Sequence, residues 1–368
     1  MTKRLFVFNP EHDLVLAREK QGGRPTPPRA ARLLRRDLGF LPAFMAEDGD
    51  WVMVDDVEVA RRAAVPFAEY LPDVQWMTPD DISRLPEREK SGMLCCPWGW
   101  DEDVRCELLQ VGMNEMLIPS QSSMEKIRRL SHRAVSIGLL DEIVKAHPET
   151  VGERREATCL DEVYELMRQW HKVVVKAPWS SSGRGVRFID ESLSPSEEGY
   201  IRHVLEQQKS VIVEPYYDCM LNFALEFSVK APHTVPLDGI SIFTNAGAAY
   251  TGNLLAAEQE KRAMLEKFIG ALTMLDIAYC ISRWLDTQTT EVKRDISYIT
   301  YGNLFRGPVG VDMMLVRTPD GIRIHPCVEI NMRCTMGHVA LHVQKRTHGR
   351  YHSMSIKYDQ GQYSLILK

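Results

Sequence analysis

No C-x-x-C pair occurs among the eight cysteines, and no apolar run approaches the ~20 residues that a membrane-spanning helix requires. The longest apolar stretch, 268–281, is interrupted by Asp276. A structural zinc and a membrane anchor are therefore not expected. Reduced thiols in a cytoplasmic protein are, with Cys95 and Cys96 adjacent on a strand-like run. A secretory leader is not expected either, because the apolar stretch after Lys3-Arg4 extends only from Leu5 to Phe8 before Asn9-Pro10-Glu11-His12-Asp13 follows. Positive charge is not in excess. The formal net charge is -5, basic residues alternate with acids, and Arg29, Arg32, Arg35 and Arg36 read as one solvated helix face, so no nucleic-acid partner is implied. Internal repeats and low-complexity tracts are missing, as are the Walker A motif and the glycine fingerprint of a dinucleotide-binding turn.

What is present is an ordinary globular composition, 44% hydrophobic and 26% charged over 368 residues, enough for two or three lobes with cores of their own. The first 120 residues alternate strand and helix: strands at Leu5 to Phe8, Trp51 to Val54 and Met93 to Cys96, helices at Arg29 to Leu38 and Asp103 to Met116. This predicts an α/β lobe whose loops 9–13 and 97–101 leave strand ends, where ligands gather in open parallel sheets. Asn9, Glu11, His12, Asp13, Trp98 and Trp100 are thus either substrate contacts or turn and packing residues. A Ser-rich entry at 119–123 predicts a helix capped by Ser122 or Ser123 and running toward Leu140. Further helices are expected at Asp161 to Trp170, Glu197 to Gln208 and Ala257 to Trp284, and strands at 173–176, 186–189, 211–213, 223–229, 240–244 and 309–316.

Two segments carry chemistry. Lys176 ends the run Val173-Val174-Val175 and precedes Pro178-Trp179-Ser180-Ser181-Ser182-Gly183-Arg184-Gly185, a small-residue loop returning to a strand. A lysine fixed at a strand end and backbone N–H groups free of side chains suit a phosphate, although turns use the same residues. Far downstream, 311–316 and 327–331 flank the turn signal Thr318-Pro319-Asp320-Gly321 and read as a hairpin with Asp312 opposite Cys327. Period-two alternation puts Asp312, Glu329 and Asn331 on one face, with Arg333 pointing the same way. Two carboxylates and an amide oxygen suit Mg²⁺, which leaves its other positions to water and substrate phosphates.

The order of these motifs resembles the ATP-grasp superfamily: Lys-x-Pro with a Ser/Gly loop, a strand ending Glu-Pro-aromatic, a Gly-Val-Asp strand and a Glu-x-Asn-x-Arg strand, covering about residues 120 to 340. The resemblance implies an α/β and α+β fold with a pre-ATP-grasp-like α/β domain at 1–120, a small lobe with the phosphate loop at 121–210 and a C-terminal lobe with the metal site at 211–368. It implies that Lys176 contacts ATP phosphates, that Ser181, Ser182, Gly183 and Gly185 close over them, and that Glu214, Pro215 and Tyr216 hold adenine through the Glu214 carbonyl and the Tyr216 N–H. Asn222 falls where the ribose contact lies, although an acid is commoner there. Asp312, Glu329 and Asn331 resemble the ligands of Mg²⁺, or of Mn²⁺, and Arg333 the catalytic arginine of the biotin carboxylase branch. Arg133 is the preferred second nucleotide cation, with Lys126 as the fallback. The continuation Cys334-Thr335-Met336-Gly337-His338 departs from that branch, so the substrate does not transfer; His338 is either a proton shuttle or a structural histidine.

The resemblance implies an ATP- and Mg²⁺-dependent, ADP-forming ligase joining a small-molecule carboxylate (or a peptide) to an amine or similar nucleophile through an acyl phosphate. Arg333, and Arg306 unless that side chain is simply exposed, would hold the carboxylate. A small-molecule kinase or a nucleotide-binding regulator would use the same site. The oligomeric state is not legible.

Overall fold

The computed structural model describes residues 3–18, 27–180, 183, 185–294, 299–303 and 305–368. Ser181 and Ser182 of the expected phosphate loop lie outside the described residues.

The first sheet holds four parallel strands, β1 (Arg4–Val7), β2 (Trp51–Met53), β3 (Gln75–Met77) and β4 (Leu94–Pro97), in the order β3-β2-β1-β4. Short apolar runs suit a sheet buried on both faces. Leu5 and Val7 pack with Trp51 and Met53 in one cluster, while Phe6 joins Val52 and Ala43 in another. Strand order reverses at β1, so the loops after β1 and β4 emerge side by side. The helix Arg29–Leu38 forms where its pattern places it.

A second, antiparallel sheet contains β5 (Arg155–Ala157), β6 (Lys172–Lys176), β7 (Val186–Asp190) and β8 (Val211–Pro215), ordered β5-β8-β6-β7. Helices Leu160–Trp170 and Pro195–Gln208 bury their apolar residues against it, the latter opened by a Ser194/Glu197 capping box. Because β8 bonds to β5 and β6, this sheet continues past residue 210 to Pro215.

The large sheet is built from β9 (Asp218–Val229), β10 (Leu237–Ala246), β11 (Ala249–Leu254), β14 (Gly307–Thr318), β15 (Gly321–Asn331), β16 (Ser353–Asp359) and β17 (Gln362–Leu367), ordered β15-β14-β9-β10-β11-β16-β17. β12 (Thr290–Arg294) and β13 (Ile299–Asn303) pair with each other. Helix Met336–Arg346 packs on β10 and on the short 3-10 turn Leu41–Met45 of the first lobe, joining the lobes.

Three expectations change. The helix expected through Leu140 is capped by Ser120 and ends at Leu130; after a 3-10 turn at Arg133–Ser136, a second helix covers Ile137–Ala146. His132 opens that turn by accepting the Ala134 N–H, a local bond that competes with the helical one. The helix expected over 257–284 is likewise two, Glu258–Glu266 and Ala271–Thr289, parted at an extended Gly270.

The third change is the register of the β14–β15 hairpin. From Thr318↔Gly321 to Met314↔His325 the ladder is regular, and extrapolation would set Asp312 against Cys327; Asp312 instead faces Glu329. The irregularity falls at Pro326, which has no N–H to give the ladder. A displacement of two residues, 327 to 329, preserves side-chain alternation, so Asp312, Glu329 and Asn331 still share a face. The bulged carbonyls of Cys327 and Val328 accept from the wholly buried Arg154, the latter at 2.8 Å.

Candidate active site

A cavity of about 390 Å³ lies where the small sheet, the large sheet and the loop after β1 meet. Lys176, Arg133, Glu214, Asp312, Glu329 and Arg333 all line it.

Its cationic half sits on the small lobe. Lys176 ends β6 and donates from Nζ to Glu214 Oε2 at 2.6 Å, and Arg154 reaches Glu214 Oε1 at 3.2 Å. Burial alone would raise the Glu214 carboxyl; Lys176 and Arg154 instead hold it down at about 2. The Lys176 ammonium is drawn below its ordinary value by burial, despite Glu214, with Arg154 and Arg133 adding to the effect. Positive charge thus exceeds what Glu214 balances. An anion is the group that would balance it.

Arg133 leaves the 3-10 turn to bridge both halves. It donates to Ser180 Oγ at 2.9 Å, the Ser180 carbonyl at 3.1 Å, the Ala177 carbonyl, and Glu329 Oε1 at 2.7 Å. Gly183 and Gly185 are required by close approach. Gly183 has φ +70°, and a Cβ there would lie 2.1 Å from the Ala248 carbonyl in the β10–β11 turn; one on Gly185 would lie 2.1 Å from Ser180 Oγ. Ser180 and Gly183 face the cavity.

The acidic half sits on the hairpin. Burial first, then the facing Glu329 and nearby Glu226, push the Asp312 carboxyl up to about 7. Like charges set opposite each other on a ladder repel, and a shared cation relieves them. No group of three His, Cys, Asp or Glu side chains that could hold a metal occurs among the described residues. The donors here are two carboxylates and the Asn331 amide, a set that fits an ion completing its shell with water and phosphate oxygens. Arg333 does not simply continue the strand face. Its N–H turns back to the Asn331 carbonyl at 2.8 Å, and its guanidinium reaches Asp13 at 3.0 Å, linking the hairpin to the first lobe while lining the cavity.

On the expected adenine side, Pro215 and Asn222 line the cavity together with Tyr217. Tyr216 is not in the lining. Its N–H donates to the Lys172 carbonyl at 2.9 Å, and its half-exposed ring packs against Phe188 and under Lys172 Nζ, 4.5 Å from the centroid. One β step reverses direction, so Tyr217 faces inward instead. Lys126 is not in the lining.

Several residues left open from the sequence make contacts within the protein. Asn9 donates to the Gly99 carbonyl at 2.8 Å and Asp101 Oδ2 at 2.7 Å, Glu11 pairs with Arg35 at 2.9 Å, and His12 is buried beside Asp101. A Cβ on Gly99 would meet the His12 ring at 2.6 Å. Of this loop, Pro10 and Asp13 reach the cavity, and so does Trp98. His338 has both ring nitrogens engaged, Nδ1 with Glu226 at 2.9 Å and Nε2 with the Phe227 carbonyl at 3.2 Å. Arg306 and Trp100 line a different, larger cavity.

Two residues of consequence were missed. Arg154 gives no signal, since Glu153-Arg154-Arg155 reads as a surface turn. Glu226 gives one: it is a lone acid within Phe223-Ala224-Leu225-Glu226-Phe227. It accepts from Ser241 at 2.7 Å and Thr335 at 3.0 Å and pairs with His338; a Cβ on Gly337 would lie 1.8 Å from its Oε1.

No protein-family model matches the sequence. No curated protein matches it either. Among solved structures, biotin carboxylase from Campylobacter jejuni in a β,γ-ATP complex superposes with TM-score 0.51 at 10% identity, covering 98% of this chain and 73% of that one. N5-carboxyaminoimidazole synthetase from Staphylococcus aureus with ADP gives 0.49 at 10% identity (98% and 84% covered), and an ATP-grasp superfamily protein from Archaeoglobus fulgidus 0.47 at 14% (100% and 99% covered). The fold is ATP-grasp. No described helix is long and apolar enough to cross a membrane.

Proposed function

We propose that the chain is an ATP-dependent, ADP-forming ligase that activates a carboxylate as an acyl phosphate for attack by an amine or comparable nucleophile. The observation that carries this reading is the pairing of opposite charge across one cavity: Lys176 and Arg133 line one wall, with the buried Arg154 behind Glu214, and Asp312 faces Glu329 on the other. A nucleotide triphosphate with its divalent cation is complementary to both walls at once. The biotin carboxylase whose fold this chain shares was solved with a β,γ-ATP ligand, which agrees with that assignment.

Asp312, Glu329 and Asn331 would hold Mg²⁺, or Mn²⁺, which when bound neutralises charge on the phosphate oxygens. Lys176 and Arg133 orient the phosphates, with the backbone around Ser180 and Gly183 as further donors. Pro215, Tyr217 and Asn222 form the wall available to base and ribose. Arg333, held by Asp13, would meet the substrate carboxylate with a planar fork. Phosphoryl transfer asks mainly for such positioning and charge neutralisation.

The test is a thermal-shift series with MgATP followed by a metabolite screen for released ADP and phosphate. At ~100 times the dissociation constant a ligand stabilises by about 2.7 kcal/mol, an easily read shift. Lys176→Ala, Asp312→Ala and Glu329→Ala should each weaken MgATP binding and leave the circular dichroism spectrum unchanged. Wild-type affinity in all three would dismiss the site assignment. A stable phosphorylated product without joining would identify a kinase.

A further inference from the structure

A second cavity, about 780 Å³, lies between the first sheet, helix Met336–Arg346 and the paired ends of β9 and β14, and it adjoins the first at Trp98 and Arg333, which line both. Its walls carry basic groups on two elements. β9 and β14 end at the pair Val229↔Gly307, so the next residues outward, Lys230 and Arg306, are set side by side. Like charges adjacent at strand ends repel. Opposite them, helix Met336–Arg346 presents His338, Leu341, His342 and Lys345, spaced i, i+3, i+4, i+7 and therefore on one face.

Most acids in this wall are already engaged. Glu258 accepts from the Ile240 N–H at 3.1 Å and pairs with Lys261 at 3.3 Å and Arg262 at 3.3 Å; Asp238 accepts from Ser228 Oγ. Among the described residues, the side chains of Lys230, Arg306, His342 and Lys345 have no acidic partner. Burial first, then His338, Arg346, Lys345 and Arg4, hold the His342 imidazole down at about 4. Between the basic groups the wall is apolar, with Phe6, Met45, Trp98, Trp100, Phe305 and Pro308.

We propose that this cavity is a binding site for a small organic anion, a carboxylate or a phosphate ester with an aromatic or aliphatic body, separate from the nucleotide cavity. The charge of the ligand is met by Arg306, Lys230 and Lys345, and its body lies on the tryptophan and phenylalanine wall. Exposed cations without acidic partners at the rim of a partly open apolar cavity suit such a ligand. The assignment does not depend on what the first cavity binds.

Isothermal titration with phenyl phosphate and with 3-phenylpropionate tests it, with benzyl alcohol as the uncharged comparison; the two anions separate phosphate from carboxylate preference. At least one anion should bind saturably at one site and benzyl alcohol should not. Affinity should fall at least about tenfold in R306E/K345E, fall less in R306Q/K345Q, and stay unchanged in Lys176→Ala. Failure of both anions to bind, equal binding of benzyl alcohol, indifference to both double variants, or loss in Lys176→Ala would each overturn the proposal.

Discussion

Glu214 is claimed by two cations at once, and that fixes how its contribution varies with pH. Its folded carboxyl lies near 2, below its ordinary value of 4.5, so its stabilisation is present above 4.5 and lost as pH falls through that range toward 2. Glu214→Gln leaves Lys176 and Arg154 buried without a counter-charge and should cost about 3–5 kcal/mol at neutral pH. Urea unfolding of wild type and variant between pH 7 and pH 2 should show that difference shrink on acidification; a gap that widens would contradict the pairing. Arg154 belongs to the same cluster, yet it was illegible in the sequence. Its partners are carbonyls of Cys327 and Val328 far along the chain, and they exist only because the strand bulges. Lys176 was legible because a strand end and a small-residue loop are local features. Which of Tyr216 and Tyr217 turns into the cavity depends on the register of β8 against β6, which no local pattern supplies.

At the scale of elements, helices were placed where apolar periodicity is strong and merged where periodicity outlasts a break. Both merged helices part at short breaks, one at His132 and one at Gly270, that hydrophobic pattern alone passes over. The β14–β15 hairpin shows the opposite. Its turn was readable from Pro-Asp-Gly, its register was not, and the acid set survived the error because the displacement is even. Deleting Pro326 alone should therefore carry Glu329 and Asn331 to the other face and abolish metal-dependent MgATP binding. Deleting Pro326 and Cys327 together should restore the facing of Asp312 and Glu329, at some cost from Arg154's lost acceptor. Nucleotide affinity measured in both deletions checks this; equal loss in the two would argue against a role for register.

Over the whole molecule, several polar links tie the first lobe to the rest, among them Arg346 to the Phe44 carbonyl, Arg350 to Glu69 and Arg333 to Asp13. Asp13→Asn should leave each sheet intact while freeing the guanidinium, lowering kcat/KM for the joined carboxylate by about 10–100-fold with a smaller effect on MgATP binding. An unchanged kcat/KM would show that Arg333 needs no anchor. The α/β and antiparallel lobes were legible from strand and helix order, whereas the packing of helix Met336–Arg346 against both lobes, and the cavity it creates, arises only from tertiary contact. The bridge from Arg133 to Glu329 has a consequence of its own. A side chain from the small lobe gives Glu329 the counter-charge that a divalent ion would otherwise provide, so under the proposed function filling the site would exchange one cation for another. The guanidinium so released would be available to the phosphates, and the tie between the lobes would pass from protein to ligand.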